Sequence, residues 1–183
     1  MGELTRPVRE RIWHVSETAG IPRFQPRADA GGRERVWAIG DSRLHNYLLP
    51  RDCPRVTFYA AATTSAADRE RFFSVSDAES VVAIERGWLD RVRNARLFLY
   101  EFGPDDFELT DAIAAYWTSE RTATPVDCTV VDDPLAELTR RAVELRVLSS
   151  LWPLRDAVVA STLGFSIIRM RNALPRGALL DPA

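Results

Sequence analysis

The chain has 183 residues, 46% hydrophobic and 27% charged, a balance that excludes wholesale disorder and lets one domain bury about 70% of its unfolded surface. The formal net charge of −2 gives no basic field that would recruit nucleic acid, and no apolar run reaches the ~18 residues of a membrane span. All 24 positive charges are arginine, so any anion bound here meets guanidinium forks, backbone amides or helix ends.

Residues 1–10 are polar and read as loosely held, without the hydrophobic region of a secretory signal. Residues 11–16 form a first strand that carries His14 and Ser16 on one face. Residues 20–27 are extended and punctuated by Pro22 and Pro26, and 28–35 read as a mobile surface loop. Val36 to Ile39 is a short strand. Ser42 is placed to cap a helical turn through Leu48, and Leu49 to Pro54 is a rigid loop between two prolines. Arg55 to Ala60 is β-rich, and Thr64 or Ser65 caps a helix over 66–74.

Ser80 to Glu85 reads as a strand, followed by a helical turn around Trp88 to Val92 and the clearest strand of all, Arg96 to Phe102. The acidic turn Asp105-Asp106-Phe107-Glu108 follows, then a segment through Tyr116 to Glu120 and a strand from Val126 to Val131. Asp133 and Pro134 open a helix to about Val143, and Glu144 to Leu148 returns as a strand. The apolar positions Leu154, Val158, Val159, Leu163, Ile167 and Ile168 predict a helix from about Ser150 to Arg171. Gly164 and its β-branched neighbours argue instead for a strand over 165–170. The tail after Pro175 reads as frayed. No repeat, linker or composition break divides the chain, so the expectation is one α+β domain over 1–183 with an ordered core from 10 to 175, a compact mixed or antiparallel sheet and C-terminal helices.

The order of these pieces resembles the compact ADP-ribosyltransferase fold, in particular the small bacterial rifampin ADP-ribosyltransferases. His14-Val15-Ser16 is similar to that family's His-x-Thr strand, with Val15 where the family has glycine. Val36 to Ile39 follows in the position of its second strand, but without the family's tyrosine. Leu97 to Phe102, Asp105 to Asp111 and Trp117 to Glu120 then follow in the family's order of strand, acidic loop and Tyr-x-Ser-x-Glu segment. The chain also resembles a group of small uncharacterised bacterial proteins that share the phrases WHVSE and LPRDCP. The first resemblance covers residues 11–131 and implies NAD, or a related nucleotide or small molecule, as substrate.

Breaking the NAD glycosidic bond needs a group that fixes the ribose, a ring against the nicotinamide, and a carboxylate near the developing positive charge. His14 could donate to a ribose hydroxyl, with Ser16 beside it. Trp37, Tyr47 or Tyr59 could supply the ring, and Arg23, Arg27 or Arg51 could hold the diphosphate. Asp105, Asp106, Glu108 or Asp111 could supply the carboxylate.

Two other classes compete with this reading. One is an enzyme that pairs the Cys53 thiol with His14 or His45, or uses carboxylate chemistry on a small metabolite. The other is a binding module for a small molecule or nucleotide on the same fold, without turnover. Cys53 and Cys128 fit no metal or Cys-x-x-Cys spacing, and neither do the two histidines. No metal is therefore expected, and free thiols suit a reducing cytoplasm.

Overall fold

A computed structural model describes residues 10–29 and 31–178. In chain order the elements are β1 (Ile12–Ser16), β2 (Arg27–Ala28), β3 (Glu34–Gly40), β4 (Arg55–Tyr59), α1 (Ala66–Phe73), β5 (Ser80–Glu85), α2 (Leu89–Arg93), β6 (Leu97–Phe102), β7 (Glu108–Asp111), β8 (Tyr116–Ser119), β9 (Asp127–Val131), α3 (Pro134–Arg140), β10 (Val143–Leu148), α4 (Trp152–Val159) and β11 (Gly164–Ile168). Short 3₁₀ turns join several of them, the longest over Asp41–Tyr47.

The strands form two sheets. The first is antiparallel throughout, in the order β7-β8-β3-β1-β6-β9, with β2 attached to β3. The second runs β10-β5-β4-β11, with β10 and β5 parallel and the other pairs antiparallel. The Val81-Val82-Ala83-Ile84 run explains how they stack, because side chains alternate across a strand and all four of these are fully buried. Val82 and Ile84 join Trp13, Ile39, Leu97 and Leu99 of the first sheet in one core. Val81 and Ala83 face the other way, against Phe72 of α1 and Leu151 and Val158 at α4. A third cluster of Ile12, Val36, Ala38, Phe102 and Phe107 covers the outer face of the first sheet. Each such side chain withdrawn from water contributes roughly 1.5–3 kcal/mol, so the shared core is the main tie between the sheets.

Local signals set the helix starts. Ser65 Oγ accepts the Asp68 N–H at the start of α1, and the Asp133 carboxylate accepts the Ala136 N–H ahead of Pro134 in α3. Glu85 is buried at the end of β5, where its carboxylate accepts the Leu151 and Leu174 N–H groups and ties α4 and the C-terminal segment to the sheet.

The α+β class holds, but the helices are interspersed among the strands rather than gathered at the C-terminus. The helix expected to reach Arg171 stops at Val159, and residues 164–168 form β11 along the edge of β4. The β-branched Ile167 and Ile168 favour that pleated surface, and Gly164 leaves room for the Tyr59 ring, which a Cβ there would strike. Residues 28–29 and 31–35, expected as a loop, belong to the β2–β3 hairpin, closed by the Asp29 carboxylate accepting the Gly31 and Arg33 N–H groups. Residue 30 lies outside the described residues. α3 ends at Arg140, because Ala142 takes a left-handed φ of 53° and Val143 starts β10. No side chain caps the 3₁₀ turn at Asp41, and the Ser42 hydroxyl donates to Glu10 instead. Beyond Pro175, Arg176 pairs with Asp156 and lies 4.3 Å from the Trp152 ring, so the described part of that segment is anchored. Residues 1–9 and 179–183, expected to be loose, lie outside the described residues.

Candidate functional site

The ladder between β1 and β3 ends early. Ile12 pairs with Gly40 and Trp13 with Ile39, and no further pair joins the two strands. From there β1 stays with β6 through Ser16, while β3 stays with β8 through Val36. The first sheet therefore opens into a gap between residues 14–16 and 36–38.

His14 sits at the apex of this gap. Its Nδ1 lies 2.8 Å from the Trp37 carbonyl oxygen, a backbone acceptor the broken ladder would otherwise leave open. Its ring packs on Phe24, centroid to centroid 4.6 Å. Burial holds the imidazole below its ordinary pKa against the pull of the Trp37 carbonyl, and the nearby Arg51 and Arg27 charges lower it further. His14 is therefore neutral at pH 7. Because a carbonyl can only accept, Nδ1 carries the proton. Nε2, which has no hydrogen-bond partner among the described residues, presents a lone pair. The imidazole can accept a hydrogen bond from a ligand hydroxyl at Nε2, where the sequence suggested donation.

Strand alternation puts Val15 and Trp37 on the side of the gap that faces the second sheet. Trp37 is 38% exposed and meets the Tyr116 ring edge-on at 5.7 Å. Tyr47 shares a hydroxyl–hydroxyl bond of 2.8 Å with Tyr116. The loop at Pro50–Pro54 closes this side. Arg51 donates its backbone N–H to the Glu17 carboxylate, and the Arg55 guanidinium holds the loop by donating to the carbonyls of Asn46, Pro50 and Cys53.

The sequence candidates thus fall into groups. Trp37, Tyr47 and the Arg51 loop lie on the side of the gap toward the second sheet, while alternation puts the His14 ring with Phe24 on the outer side, its Nδ1 reaching back to the Trp37 carbonyl. Arg27 is exposed but close enough to act on His14. Ser16 ends β1, where its Oγ accepts the Thr18 N–H. Arg23 is exposed in the segment leading to Phe24. Tyr59 belongs to the second sheet, under the Arg43 guanidinium at 3.5 Å. Asp105 and Asp106 occupy the turn beyond Phe102, where Asp106 pairs with Arg121. Glu108 is opposite Thr118, which is opposite Trp37, so it shares Trp37's face about two strand spacings away, ~10 Å. The Asp111 carboxylate accepts the Ile113 and Ala114 N–H groups of its own turn.

Cys53 is fully buried, and burial pushes its thiol up to about 12, which keeps it protonated and poorly nucleophilic at neutral pH. His45 is also buried, its pKa lowered to about 4 by burial. Among the described residues no group of three or more His, Cys, Asp or Glu side chains is arranged to hold a metal ion, and no helix is long and apolar enough to cross a membrane. A separate shallow depression of about 510 Å³, lined by Ile21, Pro22, Phe98, Tyr100, Val126 and Val130 among others, opens along β6 and β9. Its lining is mostly apolar, with Asp127 as its one charged residue, and Tyr100 of that lining pairs opposite His14.

Sequence reasoning did not single out Tyr116, Arg55 or Arg169. Arg55 had a visible signal, a charge opening the apolar run Val56-Thr57-Phe58. Tyr116 had none, because its partners Trp37 and Tyr47 are remote in sequence.

No curated protein and no solved structure matches the chain. A family model described as a family of unknown function matches residues 13–173, a span that includes the whole gap and all of both sheets but Ile12. The chain belongs to that family, DUF6886.

Proposed function

We propose that this protein binds a nucleotide in the β1–β3 gap and acts as an ADP-ribosyltransferase-like enzyme on NAD or a related nucleotide or small molecule. The observation that carries the reading is the early end of the β1–β3 ladder around a neutral His14 whose Nε2 is open. The resemblance of His14-Val15-Ser16 to a His-x-Thr strand adds to it. In this account the ligand spans the gap: Nε2 accepts a ribose hydroxyl on the outer side, and the exposed Trp37 ring stacks on a base or nicotinamide on the side toward the second sheet. Arg51 and Arg27 supply positive charge at the mouth of the gap. Glu108, on the face of Trp37, is the carboxylate best placed to approach a developing positive charge.

A second reading, a binding module without turnover, is favoured by the acidic turn. Asp105 and Asp106 follow the end of β6 that pairs with Ile12, away from the open end of the gap, and Asp106 is engaged with Arg121. A thermal-shift titration with NAD, ADP-ribose and nicotinamide on wild type and His14→Ala tests the proposal. Saturable stabilisation by NAD or ADP-ribose that is lost in His14→Ala is the expected result. Release of nicotinamide from NAD separates the enzyme from the binding module. No shift with any of the three ligands would end the nucleotide reading.

A further inference from the structure

Arg55 is 1% exposed, and no carboxylate forms an ion pair with it among the described residues. Its Nε donates to the Asn46 carbonyl at 2.9 Å, and its Nη1 to the Cys53 and Pro50 carbonyls at 2.8 and 3.3 Å. These neutral acceptors satisfy its donors without balancing its charge. Nη2 donates to nothing among the described residues, yet it is not one of the polar atoms sealed from solvent without a partner. A buried guanidinium without a counter-charge is costly unless an anion completes it.

The surroundings of Arg55 add positive charge. Ile168 of β11 pairs directly opposite Arg55, so the next residue, Arg169, lies beside it, and the two like charges oppose one another. Arg169 takes a left-handed φ of 55°, and its guanidinium has no hydrogen bond or ion pair among the described residues. The Arg55 guanidinium lies 5.3 Å from the centre of the Tyr47 ring, whose hydroxyl bonds to that of Tyr116. Two phenols sharing one hydrogen bond leave one O–H proton free to donate elsewhere. Burial keeps Tyr47 protonated, so the pair is a donor and not a rival anion.

We propose that the guanidinium groups of Arg55 and Arg169, with the Tyr47–Tyr116 hydroxyl pair, form a binding site for a phosphate group. The open Nη2 of Arg55, the Arg169 guanidinium, unpaired among the described residues, and a phenolic proton offer several donors to the oxygens of a phosphate, more than a single cation would. The site adjoins the β1–β3 gap through Tyr116, which contacts Trp37. It rests on the nucleotide reading only for the identity of the molecule that carries the phosphate.

The test is a thermal-shift and calorimetric titration of the full chain with inorganic phosphate, against sodium chloride at matched ionic strength, and then with ADP-ribose. The variants are Arg169→Asn, Tyr47→Phe and His14→Ala. Asparagine tolerates the left-handed backbone at position 169, and phenylalanine keeps the ring at 47, so both keep the fold testable where an Arg55 substitution would loosen the loop. Phosphate is expected to bind wild type and His14→Ala saturably. Arg169→Asn should bind it at least about tenfold more weakly and Tyr47→Phe several-fold more weakly. Phosphate acting no differently from chloride, or binding wild type and Arg169→Asn equally, would overturn the site. ADP-ribose binding weakened by His14→Ala but indifferent to Arg169→Asn, with inorganic phosphate binding still lost in Arg169→Asn, would keep the phosphate site and assign it to a molecule other than ADP-ribose. Phosphate binding lost in Arg169→Asn, with no ADP-ribose or NAD binding to wild type, would keep the site and remove the nucleotide.

Discussion

The two histidines are both held in the neutral form by burial, and they therefore make the chain's stability depend on pH in a predictable window. A histidine whose folded pKa is depressed costs nothing above its unfolded value near 6.5. It withdraws stability as pH falls toward its folded pKa, because only the unfolded state gains the proton. For His45, lowered to about 4, the withdrawal amounts to roughly 3 kcal/mol by pH 4. The carboxylates held below their usual range by arginine partners, such as Glu101 by Arg11 and Glu144 by Arg146, lose their contribution only at still lower pH. Denaturant midpoints measured from pH 7 to pH 5 should therefore fall in wild type and fall less in His45→Gln. An equal slope in both would show that His45 is not the buried titrating group. His14 was legible in the sequence as a histidine on an apolar strand. Its tautomer was not, since the Trp37 carbonyl that fixes it becomes available only when the ladder breaks.

Strands whose residues announce a pleated, buried surface were legible. Ser80–Glu85 has the expected bounds, and Leu97–Phe102 starts one residue later than expected, because β-branched and aromatic residues fill both. The C-terminal segment shows the limit. Residues 154–168 satisfy a helical apolar period, and only the open edge of β4, a long-range fact, decides that 164–168 extend a sheet. Gly164 then becomes a structural requirement, since a Cβ would strike the Tyr59 ring. Gly164→Ala should cost about 1–3 kcal/mol in chemical denaturation, with part of the loss recovered when Tyr59→Leu is added. Full independence of the two substitutions would mean that β11 does not pack as described. Glu85→Ala should remove the acceptor of two backbone N–H groups and cost roughly 3 kcal/mol, seen as earlier proteolysis or hydrogen exchange around α4. Unchanged protection there would sink that role.

Across the whole molecule, the gap arises because one sheet is asked to serve two pairings. β1 follows β6 and β3 follows β8, so they part beyond Trp13 and Ile39, and the second sheet brings Arg55 against Tyr47, whose hydroxyl meets that of Tyr116 beside Trp37. No window of the sequence contains this, since the residues concerned run from His14 to Arg169. The resemblance to a His-x-Thr strand puts His14 among the candidates, and Trp37, Tyr47 and Arg51 enter as the ring and the charge that NAD chemistry would need beside it. The same reading misses Tyr116, which reads as part of an ordinary segment, and Arg169, which reads as the end of the C-terminal helix. Among the described residues, the candidate gap at His14 stands apart in character from the apolar depression along β6 and β9. The most direct measurement is an amide NMR titration of the full chain with ADP-ribose. Shifts that concentrate at Val15, Trp37, Arg51 and Tyr116, and that His14→Ala removes, are what this account predicts. Shifts confined to Ile21, Phe98, Cys128 and Val130, or none at saturating ligand, would contradict it.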